Sequence, residues 1–133
     1  MKKFAVIGSP VSHSLSPQIH STFAKQNNLQ ISYEAIEVKE KDFLTKVDNL
    51  FNEGYIGLNV TLPLKEVAFK YAKVTSDRAL LAESVNTLYI KGESIYGDTT
   101  DGAGLLKDFD EKNITVKDSR VVLIGAGGSA NAI

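Results

Sequence analysis

The sequence predicts an α/β fold: a mainly parallel open sheet with helices on both faces and one hairpin, followed by the first strand and glycine loop of a truncated Rossmann domain. Short apolar runs alternate with segments of helical spacing along most of the 133 residues, which is the order expected of parallel strands joined by helices. The run Lys91-Gly92-Glu93 separates two strand-like runs and predicts the hairpin. A glycine-rich loop at residues 125–130 directly follows another apolar run, which predicts the Rossmann start.

The first half of the chain predicts three strands and two helices. An apolar run at residues 4–7 stops at Gly8-Ser9-Pro10 and predicts the first strand. Ser16 and Pro17 then predict a helix N-cap followed by proline at the first helical position. Residue spacing predicts this helix over residues 17–27, a strand over 31–38, a helix over 41–52 and a strand over 55–60.

The second half predicts helices over residues 64–71, 77–82 and 101–109, hairpin strands over 85–90 and 94–96, and a last strand over 120–124. The polar stretch 111–119 is the expected linker between a domain at residues 1–110 and the start of a second domain at 120–133. Only nine residues follow Ile124, whereas a full βαβ unit needs about thirty or more. We therefore expect a truncated chain, whose apolar run at 121–124 is disordered, packs on its own domain or pairs with another chain. Of these we favour pairing with the same segment of a second copy, in a homodimer or a crystal.

Composition narrows the function classes. Fifteen Lys and Arg residues oppose sixteen Asp and Glu residues, and this balance gives no basic surface for nucleic acid or an anionic membrane. The absence of cysteine excludes disulfides and thiolate metal sites, and His13 and His20 are not spaced with other ligands in a metal-binding pattern. No apolar stretch approaches the length of a membrane span, so we expect a cytoplasmic protein that binds a small molecule.

Three polar clusters follow predicted strands, where ligands bind in open α/β sheets. They lie at residues 12–17, 61–65 and 97–102, and together they supply hydroxyls, one lysine and one aspartate. Each residue also has a structural interpretation: Ser14 and Ser16 could cap a helix, Lys65 could be a surface lysine, and Asp101 could be an N-cap. Asn86 and Thr87 could be ordinary polar residues at a strand edge.

Five segments in this order resemble the shikimate dehydrogenase family, and the resemblance covers nearly the whole chain. They are Gly8-Ser-Pro-Val-Ser-His-Ser-Leu-Ser-Pro17, Asn59-Val-Thr-Leu-Pro-Leu-Lys65, Ser84-Val-Asn-Thr-Leu88, Asp98-Thr-Thr-Asp-Gly102 and Gly125-Ala-Gly-Gly-Ser-Ala130. The resemblance implies a two-domain enzyme that reversibly reduces 3-dehydroshikimate to shikimate with NADP(H), on the route to chorismate and the aromatic amino acids.

The same resemblance implies roles for individual residues. Lys65 and Asp101 are the expected acid/base pair, because an ammonium beside a carbonyl can protonate or stabilise a developing alkoxide. The substrate carboxylate is expected at Ser14 and Ser16, and its ring hydroxyls at Thr61, Asn86 and Asp101. The expected cofactor-binding residues are Asp77, Gly125, Ala126, Gly127, Gly128 and Ser129.

Two alternatives to this function remain open at the level of sequence. One is an NAD-dependent quinate/shikimate dehydrogenase, because the segment that would select NADP over NAD is absent from the chain. The other is a binding module for a shikimate-like acid without catalysis, although a pure binder needs no acid/base pair. Thr99 stands where the family usually has asparagine, which leaves the hydrogen bonding of the loop before Asp101 open.

Overall fold

A single six-stranded mixed sheet organises the computed structural model, which describes residues 1–133. Its strands are β1 (Lys2–Gly8), β2 (Ile31–Glu37), β3 (Tyr55–Val60), β4 (Val74–Thr75), β5 (Thr87–Lys91) and β6 (Ser94–Asp98). Its helices are α1 (Ser16–Gln26), α2 (Phe43–Asn52), α3 (Lys65–Tyr71), α4 (Asp77–Ala82), α5 (Asp101–Glu111) and α6 (Gly128–Asn131). A short 3₁₀ turn at Glu40–Asp42 leads into α2.

The strand order is β2-β1-β3-β5-β6-β4, and only β5 runs against the others. The strands β1, β3 and β6 therefore end at one edge of the sheet, and β5 begins there. The three polar clusters predicted from the sequence follow these three strand ends, so the topology carries them to the same edge. The strand directions confirm the predicted mainly parallel sheet with one hairpin.

The core lies on one face of the sheet because alternate strand residues point toward α2, α3 and α4. Ala5 and Ile7 of β1 pack with Leu58 of β3 and Phe43 of α2 in a cluster of 14 buried residues. On the opposite face α1 lies against β1 and β2, where the His20 ring stacks on Tyr33 with centroids 4.2 Å apart. Helices thus cover both faces of the sheet. None of them combines the length and the apolar composition that a membrane span requires.

The structure corrects the prediction for the last strand. Residues 120–124 form no strand, and the side chains of Val122 and Ile124 are 85% and 94% exposed. The reason is physical: a strand is stabilised by hydrogen bonds to a neighbouring strand, and no other segment of the chain pairs with this run. The glycine loop instead leads directly into the short helix α6.

Candidate active site

One end of the candidate site is formed by the loops that follow β1 and β3, which lie in close contact. Gly8 ends β1, and a Cβ at this position would lie 2.4 Å from Thr61 Cγ2. Glycine therefore lets Thr61, one residue beyond β3, pack against the end of β1. These two loops line a cavity of about 380 Å³ whose walls include Ser14, Ser16 and Thr61, together with His13.

The start of α1 differs from the predicted cap. Ser16 is the first helical residue and Leu15 occupies the cap position, without a capping side chain. The Ser14 hydroxyl accepts a hydrogen bond from the Ser16 backbone N–H at 3.2 Å. The bond uses the Ser14 oxygen as an acceptor, so its hydroxyl hydrogen can still be donated toward the cavity that Ser14 and Ser16 both line. The predicted N-cap role of Ser16 is wrong, because the turn before the helix places Ser14 over its first free N–H.

An ion pair between Lys65 and Asp101 is the most distinctive polar feature at this edge of the sheet. Lys65 begins α3 and Asp101 begins α5, and Lys65 Nζ lies 2.5 Å from Asp101 Oδ2. The side chains are 10% and 26% exposed, so most of this pair is withdrawn from water. The interpretations of Lys65 as a surface lysine and of Asp101 as an N-cap are therefore wrong, since Thr100 occupies the cap.

Asn86, which precedes β5, holds the other oxygen of the aspartate. Its Nδ2 group donates to Asp101 Oδ1 at 2.8 Å and to Thr100 Oγ1 at 2.9 Å. Its Oδ1 accepts from the Thr100 backbone N–H at 3.2 Å. The amide thus ties the start of β5 to the start of α5 and fixes the carboxylate between two donors.

A second ion pair fixes the loop that carries Asp101. Asp98 ends β6 and accepts hydrogen bonds from Arg78 Nε at 2.8 Å, from the Ser76 hydroxyl at 2.5 Å and from the Thr99 backbone N–H at 2.8 Å. The Arg78 guanidinium is the main cause that lowers the pKa of Asp98 to about 2. Thr99 is buried, and its hydroxyl has no hydrogen-bond partner.

Three further polar residues continue the site through the sheet, and they were not among the predicted site residues. Tyr33, Asn59 and Thr87 lie on β2, β3 and β5, and their side chains are hydrogen-bonded in series toward Asn86. Burial raises the pKa of Tyr33 to about 12, and the Ser16 side chain opposes part of that rise. The register Asn59↔Thr87 places two of them side by side, which requires the strand pairing and could not be read from the sequence.

The glycine loop, residues 125–130, lies against Lys65 and Ser84. Lys65 Nζ donates to Ser129 Oγ at 2.9 Å, and a Cβ at Gly128 would lie 3.0 Å from Ser84 Oγ and 3.1 Å from Lys65 Cβ. Gly125 has a φ of +132°, which favours glycine. A Cβ at Gly125 or Gly127 would meet nothing within 4 Å, so the backbone there is open to close approach.

Asp77, the remaining predicted cofactor residue, is exposed in the first turn of α4, with no side-chain hydrogen bond. The structure therefore joins Ser129 to the acid/base pair but gives Asp77 no direct contact with it. No group of three or more His, Asp or Glu side chains is placed to bind a metal ion.

Comparisons with known proteins agree with this geometry. A family model described as the shikimate dehydrogenase substrate binding domain matches residues 6–88. The chain is 46% identical over 134 residues to the shikimate dehydrogenase (NADP(+)) of Psychromonas ingrahamii, a match that covers 100% of this chain and 49% of that protein.

Solved structures give the same result. The shikimate 5-dehydrogenase of Thermus thermophilus in complex with NADP(H) and shikimate matches with a TM-score of 0.93 and 33% identity, over 100% of this chain and 50% of that one. The shikimate 5-dehydrogenase of Listeria monocytogenes in complex with shikimate and NAD matches with a TM-score of 0.86 and 29% identity, over 99% and 46%. The chain thus spans about half the length of the relatives it matches.

Proposed function

Because this chain belongs to the shikimate dehydrogenase family through its substrate-binding domain, we propose that it forms the substrate-binding and catalytic half of an NADP-dependent shikimate dehydrogenase. Such an enzyme reversibly reduces 3-dehydroshikimate to shikimate in the cytoplasm. The observation that carries the proposal is the Lys65–Asp101 ion pair, 2.5 Å long and largely buried, at the sheet edge that also holds the hydroxyl-lined cavity.

The cavity suits a small acid that carries several hydroxyl groups. Ser14 and Ser16 offer hydroxyl donors for the substrate carboxylate at the start of α1, and Thr61 faces them across the cavity. Asn86 and Asp101 offer an amide and a carboxylate for the ring hydroxyls. Asn86 and Asp101 do not line this cavity but lie along the same edge of the sheet, and the proposal is that the ligand extends from the cavity to them.

Lys65 is the proposed proton donor in the direction of reduction. As negative charge develops on the carbonyl oxygen, the ammonium group gives that oxygen a proton, and in the reverse direction the amine takes it back. Asp101 holds the ammonium in position from one side and Asn86 holds Asp101 from the other. The pair therefore acts as one preorganised unit, since neither side chain needs to move far to meet the substrate.

The glycine loop fits the pyrophosphate of NADP. Its open backbone at Gly125 and Gly127 allows close approach, and Ala126, Gly128 and Ser129 complete the loop. The bound nicotinamide would supply the hydride for the reduction. Ser129 would meet the cofactor on one side and already accepts a hydrogen bond from Lys65 on the other. Asp77 is proposed to lie near the cofactor, as the family resemblance implies.

The NAD-dependent quinate/shikimate dehydrogenase is the second candidate. It is favoured by one observation, namely that a structural neighbour from Listeria monocytogenes was solved with shikimate and NAD. The relative from Psychromonas ingrahamii, at higher identity, is named for NADP(+), and this favours the first candidate. A binding module without catalysis is the least supported, because binding alone does not require the Lys65–Asp101 pair.

A kinetic comparison in the whole enzyme tests the proposal. Lys65→Ala should lower kcat by roughly 10²–10⁴-fold with a much smaller change in KM, because the lysine acts as charge develops. Ser14→Ala should mainly raise KM, since the carboxylate that it binds does not change during the reaction. Lys70→Ala, which removes an exposed lysine from the same helix, is the matched control and should change neither constant.

Two results would contradict the proposal. An effect of Lys65→Ala on KM alone would make Lys65 a binding residue rather than the acid/base. Formation of NADPH by the isolated 133-residue chain with shikimate and NADP would contradict the assignment of this chain as half of the catalytic unit.

A further inference from the structure

We propose that Thr87 is a positioning residue for the acid/base pair, and that its hydroxyl, supported by Asn59 and Tyr33, sets the orientation of the Asn86 amide. The inference goes beyond the proposed function and rests on it, since Asn86 matters only if Asp101 and Lys65 handle substrate. None of the three residues needs to contact the substrate for this role.

A hydrogen-bonded series crosses the sheet from β2 to the candidate active site. The Tyr33 hydroxyl donates to Asn59 Oδ1 at 2.6 Å, and Asn59 Nδ2 donates to Thr87 Oγ1 at 3.3 Å. Thr87 Oγ1 then donates to Asn86 Oδ1 at 2.8 Å, and Asn86 Nδ2 donates to Asp101 Oδ1 at 2.8 Å. Every donor points the same way along the series, which ends on the carboxylate that accepts from Lys65.

The common direction has a physical consequence. Hydrogen bonds arranged head to tail polarise one another, and the series delivers its last N–H to an ionised oxygen, where hydrogen bonds are strongest. The side chains from Tyr33 to Asn86 in this series are half-buried, so water competes only partly with these bonds. The series therefore favours one orientation of the Asn86 amide over its flipped alternative.

Thr87 contributes the shorter of the two hydrogen bonds that the Asn86 oxygen accepts. Asn86 Oδ1 accepts from the Thr87 hydroxyl at 2.8 Å and from the Thr100 backbone N–H at 3.2 Å. A flipped amide would turn its NH₂ group toward the Thr100 N–H and its oxygen toward the Asp101 carboxylate, which are two repulsive contacts. Without the Thr87 hydroxyl, Asn86 Oδ1 keeps only the longer of its two bonds, so the amide is held less firmly by that bond and by the two that Nδ2 donates.

The strand register explains why this threonine can act on its neighbour. Thr87 pairs with Asn59 on β3 and with Asp98 on β6, so its side chain is held between two strands. Asn59 donates a hydrogen bond to the Thr87 oxygen, so the Thr87 hydroxyl hydrogen points away from Asn59 and toward Asn86. Tyr33 in turn holds the Asn59 amide, and its ring is fixed by stacking on His20.

The first test needs no ligand and reads the Asn86 side chain directly. In ¹⁵N spectra of the 133-residue chain, Thr87→Val should move the Asn86 side-chain NH₂ signals and speed their hydrogen exchange several-fold, because the amide loses the shorter of the two bonds to its oxygen and is held less firmly on Asp101 and Thr100. Thr87→Ser keeps the hydroxyl and should restore the original signals. Thr22→Val removes an exposed hydroxyl that bonds only the Gln18 carbonyl within α1, so it should leave the Asn86 signals unchanged.

The second test separates positioning from a general loss of structure. Thr87→Val should weaken shikimate binding by roughly three- to tenfold, the usual effect of one hydrogen bond, and Thr87→Ser should bind as the parent chain does. Binding of cyclohex-1-ene-1-carboxylate, which has the carboxylate but no ring hydroxyls for Asn86 and Asp101, should be the same in the parent chain and in Thr87→Val. Equal weakening for both acids would show a general structural defect and would overturn the inference.

The two tests also separate this inference from the proposed function. Unchanged Asn86 signals in Thr87→Val overturn the positioning role, whatever the parent chain binds. Failure of the parent chain to bind shikimate overturns the proposed function and, with it, the functional meaning of the series. Changed Asn86 signals together with weaker shikimate binding, both restored by Thr87→Ser, support the positioning role.

Discussion

Replacement of Asp101 by asparagine tests whether the buried ion pair is as closely coupled as its geometry indicates. The Lys65 side chain is 10% exposed, and Asp101→Asn leaves this charge in place without its counterion. Removal of one partner from a fully buried pair typically costs about 3–5 kcal/mol. Lys65 retains a little exposure and a hydrogen bond to Ser129, and asparagine keeps one acceptor, so we expect a loss of about 1–3 kcal/mol in the free energy of unfolding.

The opposite replacement should cost less. Lys65→Met removes the more buried charge and keeps a similar side-chain volume, while Asp101, 26% exposed, keeps Asn86 as a donor and can also be hydrated. We expect a change below about 1 kcal/mol, because the remaining carboxylate keeps a donor and access to water and is therefore not left as an uncompensated buried charge. The double variant Lys65→Met with Asp101→Asn should unfold at higher denaturant than Asp101→Asn alone, which would reveal the coupling.

Urea denaturation of the 133-residue chain measures these differences, and the chain supplies its own control. Lys112 and Asp108 form an exposed ion pair of 2.7 Å at the C-terminal end of α5, so Asp108→Asn should change the free energy of unfolding by less than about 0.5 kcal/mol. An Asp101→Asn effect no larger than that of Asp108→Asn would refute the reasoning. So would a greater loss from Lys65→Met than from Asp101→Asn.

Three further predictions concern the Arg78–Asp98 pair, the contact between the two loops and the C-terminal segment. Arg78 lowers the pKa of Asp98 to about 2, so the stability from this pair is present above the ordinary aspartate pKa and is lost as the pH falls below about 4 toward 2. Arg78→Met should flatten that part of a plot of unfolding free energy against pH, and an unchanged plot would contradict the role of the pair. Gly8→Ala places a methyl group 2.4 Å from Thr61 Cγ2 and should destabilise the chain by about 1–3 kcal/mol in urea denaturation, whereas Gly104→Ala, with nothing near the added methyl group, should not. If residues 120–133 pair two copies, a combined Val122→Asp and Ile124→Asp variant should sediment as a monomer at concentrations where the parent chain dimerises, and a parent chain that stays monomeric would end this prediction.

Much of the fold could be predicted because its elements follow local rules. The strand Tyr55–Val60 and the helix Asp77–Ala82 begin and end where the sequence predicted. Gly54 makes the turn before the strand, and the Ser76 side chain caps the helix. The two-residue strand β4 was missed because so short a run has no periodicity to detect. The last strand was predicted wrongly because apolar residues at 121–124 indicate a strand only where a neighbour can pair with it.

The site also contains residues that could be predicted from the sequence and residues that could not. Ser14, Thr61 and Lys65 lie in polar clusters that follow β1 and β3, and the order of elements placed these clusters at one edge of the sheet, whereas Asn86 was predicted only through the family resemblance. The contribution of Thr87 could not be predicted in this way, because its partner Asn59 is 28 residues distant and meets it only through the β3–β5 register. Arg78 was missed for a similar reason, since its bond to Asp98 joins a helix to the end of a strand 20 residues later.

Titration of the 133-residue chain with shikimate tests the central claim most directly, with backbone and side-chain amide signals followed by NMR. The proposed site predicts saturable changes at Ser14, Ser16, Thr61 and Asn86. The same titration of Asp101→Asn should show weaker binding with the same carboxylate contacts at Ser14 and Ser16. Absence of binding at millimolar shikimate, or changes confined to residues away from this edge of the sheet, would contradict the assignment of the site.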